Sequence, residues 1–214
     1  MIKLLITEVK KFYLYKIPEK INMKKRMILV TSPPASGKTF VSKQIAKALH
    51  NIVYLDKDAL IPLSNRIYHV AGEEINRSSK FFEDNIRNYE YIAILDIGFE
   101  ALDYADLVLI NAPFTREVRD NEYITQLKEK LANHGADLVV IWVETDIEVT
   151  RQRMINRNSP RDTWKLAHWD EYVASRDYST PSIPALSDCL VKFYNSNDEQ
   201  YNESMERITK FLLN

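Results

Sequence analysis

Residues 27–39 read MILVTSPPASGKT, and this stretch decides the fold that the sequence predicts. The apolar run 27–30 is typical of a buried strand, and the segment that begins at Phe40 has the apolar spacing of a helix. A strand, a short loop with Gly-Lys-Thr and a helix are together the context of a phosphate-binding loop. Backbone N–H groups at the start of such a helix converge on one concavity, where the helix dipole adds positive potential. We therefore expect the chain to bind a nucleoside triphosphate.

Three residues of this loop have predicted roles. Lys38 is expected to reach the outer phosphates, and the hydroxyl of Thr39 is expected to be a ligand of Mg²⁺. Gly37 lets the backbone approach a phosphate without a Cβ in the way. The predicted nucleotide-binding residues are Pro34, Ala35, Ser36, Gly37, Lys38, Thr39, Phe40 and Arg153.

The loop departs from the motif in its first half. Ser32 stands where the motif has glycine, and Pro33 and Pro34 remove two N–H donors. Because the donors that contact phosphate come mainly from Ala35 onward, we expect the loop to keep its function.

Composition limits the possible classes of protein. The 214 residues have a hydrophobic fraction of 45%, a charged fraction of 28% and a net charge of −1, which is typical of one soluble domain. Such a charge gives no general attraction to nucleic acid or to anionic membranes. The single cysteine, Cys189, suits a reducing compartment. No apolar run approaches the ~18 residues of a membrane span, and we therefore expect a cytoplasmic protein without a membrane partner.

Residues 1–26 are predicted to be a basic N-terminal extension, and 27–214 the folded domain. The extension contains eight Lys and Arg residues but two Glu residues, with aromatic residues between them. A contact with nucleic acid or phosphate is one interpretation. An extra strand or helix with a solvated edge is the interpretation that we favour, because the charges do not form one long block.

Apolar runs predict four further strands near 51–55, 107–110, 138–143 and 190–194, separated by helical segments. The spacing predicts one long helix over 73–104. Within it, residues 91–96 read YIAILD and imitate a strand that ends in a metal-ordering aspartate. Because the helical period continues through Asp96, we interpret these residues as helix.

Polar residues follow two of the predicted strands. Asp56 and Asp58 come after the second strand, and Asn111 follows the third, where an aspartate would ordinarily order metal-bound water. Ligands of open parallel sheets collect at the carboxyl ends of strands. The predicted metal ligands are Thr39, Asp58 and Asn111.

Three arginines at equal spacing, Arg153, Arg157 and Arg161, are predicted to share one helix face. Like charges so placed repel unless an anion lies against them, and arginine is suited to forked contacts with phosphate. We expect residues 159–160 to end the rigid part of this segment, which can then act as a mobile lid. A solvated helix with acidic residues nearby is the alternative.

The whole arrangement resembles the P-loop phosphotransferases of the polynucleotide kinase and zeta-toxin type, in the P-loop NTPase superfamily. Residues 54–60 (YLDKDAL) look like the segment that activates the acceptor hydroxyl there, and 157–161 (RNSPR) looks like the lid of phage polynucleotide kinase. The resemblance implies a three-layer α/β/α fold with a five-stranded, mainly parallel sheet and a helical lid. It also implies ATP and Mg²⁺ as cofactors.

By that resemblance, the γ-phosphoryl group of ATP is transferred to a hydroxyl. Asp58 accepts the hydroxyl proton, with Asp56 as the second choice, and the charge on the phosphoryl oxygens is neutralised. The residues predicted to neutralise that charge are Lys38, Arg157 and Arg161.

The acceptor is expected to lie against the helical region 60–103 and to be a small molecule such as a nucleotide, sugar or nucleotide sugar. The possible contacts are Arg66, Tyr68, Arg77 and Arg87. A polynucleotide 5′-hydroxyl is an alternative acceptor, although the net charge supports it weakly. A slow ATPase that signals to a protein partner is the alternative from another class, and the oligomeric state stays open.

Overall fold

The computed structural model describes residues 24–49 and 51–214. In that part of the chain, five parallel strands form one sheet in the order β2-β3-β1-β4-β5. The prediction of a five-stranded, mainly parallel sheet is confirmed, and each pairing in it is parallel. The strands are β1 (Lys25–Thr31), β2 (Ile52–Asp56), β3 (Leu107–Asn111), β4 (Ala136–Glu144) and β5 (Leu190–Tyr194).

Helices connect the strands. The α-helices are α1 (Lys38–Ala48), α2 (Ile61–Ala71), α3 (Lys80–Phe82), α4 (Asn88–Leu102), α5 (Asn121–Asn133), α6 (Ile147–Arg157), α7 (Thr163–Ala167), α8 (Trp169–Ala174) and α9 (Asp198–Leu213). A π-helical segment, Glu83–Arg87, joins α3 to α4. Short 3-10 turns cover Lys57–Leu60, Glu117–Arg119, Pro160–Asp162 and Pro184–Leu186.

Side chains of β1 alternate between two cores, as the period of a strand requires. Ile28 and Val30 pack in one core with residues of α1 and α9. Met27 and Leu29 pack in the other with residues of α4 and α5. The sheet is therefore the middle of three layers, as predicted.

Helix α4 includes residues 91–96, so the interpretation of this run as helix is confirmed. Gly98 brings α4 close to the sheet, since a Cβ there would lie 2.9 Å from Cδ1 of Ile110 and 3.1 Å from Cε of Met27. The side chains of Tyr91 and Ile94 face the core, while Ile92 is 54% exposed.

The predicted helical start at Glu73 is wrong. Helix α2 ends at Ala71, because Gly72 has a φ of +71°, and the next helical residue is Lys80. Ser79 caps that start, because its Oγ accepts a hydrogen bond from the N–H of Phe82 at 3.1 Å. Ile75 continued the apolar pattern, but it lies in the intervening loop and is exposed.

The predicted boundary at residue 27 also changes. Lys25 and Arg26 belong to β1. The guanidinium of Arg26 is buried and donates hydrogen bonds to the carbonyls of Phe211 (3.1 Å) and Leu212 (2.9 Å), which ties β1 to the end of α9. The rest of the predicted basic extension, residues 1–23, lies outside the described residues. Among the helices that are described, none has the length and apolar character needed to span a membrane.

Candidate active site

A cavity of about 1020 Å³ lies beside the loop that connects β1 to α1. The loop forms one wall, and the 3-10 turn after β2 contributes Lys57 and Asp58 to another. Because β1, β2 and β3 are parallel neighbours, the ends of all three strands meet at this edge of the sheet.

The backbone of the loop forms an anion cradle. Ala35 has a φ of +62° and Gly37 a φ of +86°. Left-handed residues in such a loop turn successive N–H groups toward one concavity, which suits phosphate oxygens. A left-handed alanine is unfavourable by about 1–2 kcal/mol, so the surrounding contacts must hold Ala35 in this conformation.

The carbonyl oxygen of Ser36 is the point at which the loop is held. It accepts hydrogen bonds from Asn195 Nδ2 (2.7 Å), Thr145 Oγ1 (3.0 Å) and Arg153 Nη1 (3.2 Å). The Nη2 of Arg153 also donates to the carbonyl of Asn195 at 2.7 Å. Arg153 lines the cavity and was predicted to bind nucleotide, yet the hydrogen bonds that it makes are to the loop and to the end of β5.

Lys38 is the first residue of α1, and its Nζ donates to Oδ1 of Asn111 at 2.6 Å. Burial lowers the pKa of Lys38 to about 8, although the charges of Asp58 and Asp56 oppose this shift. A phosphate bound next to Nζ would stabilise the charged form of Lys38 and so offset the effect of burial.

Asn111 links the loop to β2. Its Nδ2 donates to Asp56 Oδ2 at 2.9 Å and to Thr39 Oγ1 at 3.2 Å. Its Oδ1 accepts from Lys38 and, at 3.3 Å, from Ser42. The oxygen that was predicted to bind metal thus accepts from two donors, and the metal role of Asn111 stays a prediction.

Thr39 and Asp56 present oxygen atoms next to Asn111 that could hold a magnesium ion, and the predicted set of Thr39, Asp58 and Asn111 stays a prediction. Thr39 Oγ1 and Asp56 Oδ2 share the same amide donor, whereas the side chain of Asp58 is 66% exposed on the turn beyond. Hydroxyl and carboxylate oxygens are the ligands that Mg²⁺ prefers, with waters and phosphates completing its octahedron. Within 24–49 and 51–214, no group of three or more His, Cys, Asp or Glu side chains is arranged to hold a metal by itself.

Asp58 is held at the cavity wall through its backbone. Its N–H donates to Asp56 Oδ1 at 3.1 Å, so Asp56 caps the turn that presents Asp58. The carboxylate of Asp58 lies 3.9 Å from Nζ of Lys57. The carboxylate of Asp58 is therefore accessible to a molecule in the cavity. The carboxylate of Asp56 is less accessible, because it also accepts a hydrogen bond from the hydroxyl of Tyr54 at 2.9 Å.

The predicted face of three arginines is wrong. Helix α6 ends at Arg157, because Asn158 adopts a left-handed conformation with a φ of +46°. Arg153 and Arg157 lie one turn apart on α6, but Arg161 lies beyond the end of the helix, and its side chain is outside the described part of the structure.

A buried carboxylate instead organises the segment that was predicted to be a lid, where the turn Pro160–Asp162 leads into α7. Asp162 is fully buried and accepts from Arg157 at 2.8 Å and from Lys165 at 3.0 Å. Burial raises the pKa of Asp162, but the hydrogen bonds from Arg157 and Lys165 outweigh it and leave the pKa lowered. Arg157 and Lys165 both line the cavity. Lys165 was not predicted, although Asp162 lies only three residues before it, because nothing in the sequence shows that this carboxylate is buried.

Two of the four predicted acceptor contacts line the cavity, namely Arg77 and Arg87. The other two do not line it. Arg66 is exposed beside His69. Tyr68 is buried, and its hydroxyl donates a hydrogen bond to the carbonyl of Asn76. The cavity is also lined by three arginines that were not predicted, Arg116, Arg119 and Arg176.

Glu90 lies behind Arg77. It accepts from Arg77 Nη1 (2.8 Å) and Nη2 (2.6 Å), from Lys57 Nζ (2.7 Å) and from the hydroxyl of Ser64. Burial raises the pKa of this carboxyl, but the hydrogen bonds from Arg77, Lys57 and Ser64 prevail and lower it to about 2. Glu90 is therefore a fixed negative charge at neutral pH.

Comparison with solved structures identifies proteins of the same fold. A candidate kinase from Chloroflexus aurantiacus J-10-fl has a TM-score of 0.59 at 19% identity, over 89% of this chain and 97% of that one. A gluconokinase from Sinorhizobium meliloti 1021 has a TM-score of 0.51 at 15% identity, over 89% and 96%. A sugar kinase from Janibacter sp. HTCC2649 has a TM-score of 0.51 at 14% identity, over 88% and 94%.

The curated proteins contain no sequence match to this chain. The family model described as an AAA domain matches residues 27–178, which include most of β1, the phosphate-binding loop and all of β2, β3 and β4. The predicted membership of the P-loop NTPase superfamily is confirmed, while the polynucleotide kinase and zeta-toxin subtype stays a prediction. The chain belongs to the AAA domain family of P-loop NTPases.

Proposed function

We propose that this protein transfers the γ-phosphoryl group of ATP to a hydroxyl of a small molecule, such as a nucleotide, sugar or nucleotide sugar. The observation that carries the proposal is that Lys38 and Asp58 line one cavity from different walls. A phosphate held by the loop and a hydroxyl held near Asp58 would therefore share one space. The same fold is found in proteins described as a gluconokinase and a sugar kinase, which supports a small acceptor.

The chain's own residues account for binding and charge. The loop amides and Lys38 hold the β- and γ-phosphates of ATP. Arg157 and Lys165 approach from the lid side and neutralise charge on the transferred group. Thr39 and Asp56 would hold Mg²⁺, which, when bound, supplies positive charge at the phosphate oxygens.

Asp58 is the proposed general base. The acceptor oxygen forms a bond to the γ-phosphorus, the bond from that phosphorus to the β–γ bridging oxygen breaks, and ADP leaves with the electron pair. The hydroxyl proton passes to the carboxylate of Asp58. Asp56 is less suited to this step, because its Oδ2 already accepts from Tyr54 and Asn111.

The test is Asp58→Asn, measured with γ-labelled ATP and a panel of hydroxyl acceptors. We expect transfer to fall by about 10²–10⁴-fold, while the Kd for ATP stays unchanged. Asp137→Asn, an exposed change in β4, is the matched control and should retain transfer. Undiminished turnover in Asp58→Asn would remove this residue from the mechanism.

The same assay separates the alternatives. Slow release of phosphate that no acceptor stimulates would indicate an ATPase switch rather than a transferase. Labelling of a 5′-hydroxyl oligonucleotide, with binding that weakens steeply as salt is added, would indicate the polynucleotide acceptor.

A further inference from the structure

Arg77 and Arg87 have the same surroundings at the far wall of the cavity. Each guanidinium hydrogen-bonds a buried glutamate, Arg77 with Glu90 and Arg87 with Glu117. The guanidinium carbon of Arg77 lies 4.5 Å from the ring centre of Phe82, and that of Arg87 lies 4.5 Å from the ring centre of Tyr91. Both arginines and both rings line the cavity.

These contacts fix each arginine without exhausting its donors. A guanidinium has five N–H groups, and the bidentate pair with Glu90 uses two of those of Arg77. The side chain of Arg77 is 32% exposed and that of Glu90 is 3% exposed. Arg77 therefore lies between the carboxylate of Glu90 and the cavity, and its remaining N–H groups are available to a molecule in the cavity.

The local charge favours an anion. The side chains that line the cavity include ten Lys and Arg residues against two carboxylates, Asp58 and Asp177. Around the proposed site, Lys57, Arg77 and Arg87 face the carboxylates of Glu90, Glu117 and the more exposed Asp58. A guanidinium whose rotamer is already fixed loses less entropy when it binds a phosphate or carboxylate.

The helix that carries Arg87 has a local irregularity at this place. Residues Glu83–Arg87 are π-helical, and Arg87 is the last of them. Single π-helical turns inside α-helices are rare and occur frequently at functional sites. Here the turn lies between the two rings, Phe82 and Tyr91, that flank the arginines.

We propose that the hydroxyl acceptor carries an oxyanion, a phosphate or a carboxylate, and that Arg77 and Arg87 bind it at a site separate from the phosphate loop. Lys57 places this site near the base, since its Nζ lies 2.7 Å from Glu90 and 3.9 Å from Asp58. In the acceptor molecule, the oxyanion would therefore lie only a few covalent bonds away from the hydroxyl that is phosphorylated. The identity of the bound molecule as the acceptor rests on the proposed function, but the anion site itself does not.

The site is tested with inorganic phosphate as the probe, in protein saturated with a non-hydrolysable ATP analogue and Mg²⁺. We expect phosphate to raise the Tm more than chloride at equal ionic strength. The double variant Arg87→Gln/Glu117→Gln should lose this rise, since it removes the cation without leaving a buried carboxylate unpaired. The control, Arg66→Gln, should keep it. A rise that survives in the double variant, or a wild type that responds equally to both salts, would overturn the proposal.

A second arm keeps the result independent of nucleotide binding. The same phosphate titration in Lys38→Ala, which disables the loop, should still give the rise in Tm. If the ATP analogue does not bind the wild type, the proposed function fails, and the titration in Lys38→Ala alone decides the anion site.

Matched acceptors then identify the chemistry of the ligand. Ribose is compared with ribose 5-phosphate, and glycerol with glycerate. The preferred anionic member should have a KM about 10–100-fold below that of its neutral partner, and Arg87→Gln/Glu117→Gln should abolish the difference. Equal KM values within both pairs would contradict the proposal. Absence of transfer to every acceptor would count against the proposed function, and the phosphate titration would still decide the site.

Discussion

Nζ of Lys38 lies 2.6 Å from Oδ1 of Asn111, so the loop lysine is held by the residue at the end of β3. The same amide donates to the carboxylate of Asp56 at 2.9 Å. An asparagine can accept from an ammonium and donate to a carboxylate at the same time, which an ionised aspartate cannot do. Asn111, which stands where the motif has aspartate, thus hydrogen-bonds both the ammonium of Lys38 and the carboxylate of Asp56.

Asn111→Leu should destabilise the fold. It removes the partner of Lys38 and one donor to Asp56 in a buried site, and we expect the free energy of unfolding in urea to fall by about 1–3 kcal/mol. Asn202→Leu, on the exposed face of α9, is the control and should change it by less than about 0.5 kcal/mol. Equal values for the two variants would show that the amide is not a structural link.

ATP binding should take up protons near pH 8. The pKa of Lys38 is lowered to about 8 by burial, and phosphate nearby raises it again by favouring the charged form. At pH 8 the free lysine is about half protonated, so binding should take up about half a proton, and affinity should fall as the pH rises above 8. Calorimetry in buffers of different ionisation enthalpy measures this uptake.

Lys38→Arg serves as the control for that measurement, because an arginine stays charged throughout the range. The proton uptake should disappear in this variant. Uptake of the same size in Lys38→Arg would assign it to another group.

Glu90→Gln should lower the free energy of unfolding, because it breaks the buried ion pairs with Lys57 and Arg77. Loss of the carboxylate leaves Lys57 and Arg77 without their shared anion, and we expect a loss of about 3–5 kcal/mol at neutral pH. Glu100→Gln, exposed on the same helix, should have little effect.

The free energy of unfolding at acidic pH should depend on the protonation of Glu90. The folded pKa of Glu90 is about 2, against an ordinary value of 4.5. Its contribution is therefore complete above pH 4.5 and is lost as the pH falls from there through about 2. A wild type and a Glu90→Gln variant with parallel stability curves over that window would contradict the assignment.

Gly37→Ala should lower both stability and ATP affinity. The new Cβ would lie 2.5 Å from Nδ2 of Asn195, in addition to the strain of a φ of +86°. Gly72→Ala is the matched control, because Gly72 has a φ of +71° and open space around it. The control should show the strain alone, about 1–2 kcal/mol, with unchanged ATP affinity. If both variants bind ATP normally, the contact with Asn195 does not hold the loop.

Elements that depend on local pattern could be predicted from the sequence. The strand 27–30, the loop and α1 follow directly from apolar spacing and Gly-Lys-Thr, and YIAILD at 91–96 is recognised as helix because its period continues. Where the pattern continued by coincidence, as at Ile75, the prediction of a helix was wrong, since a glycine and a serine cap set the real boundaries.

Contacts between distant segments have no local signal. Ser36 is held by Thr145 and Asn195, 109 and 159 residues away in the chain. Arg87 and Glu117 are likewise brought together by the packing of α4 against the end of β3. The sequence could only predict that arginines of this region contact an acceptor, whereas the tertiary fold determines which of them pair with a buried carboxylate.

The loop with Lys38 is proposed to bind the phosphates of ATP, and an equilibrium titration of ATP with Mg²⁺ measures this binding. Lys38→Ala should bind at least about tenfold more weakly than the wild type, because a charge-assisted hydrogen bond is lost. Lys43→Ala, which changes an exposed lysine on the same helix, should bind as tightly as the wild type. Equal affinity in Lys38→Ala and the wild type would show that this loop does not hold the nucleotide.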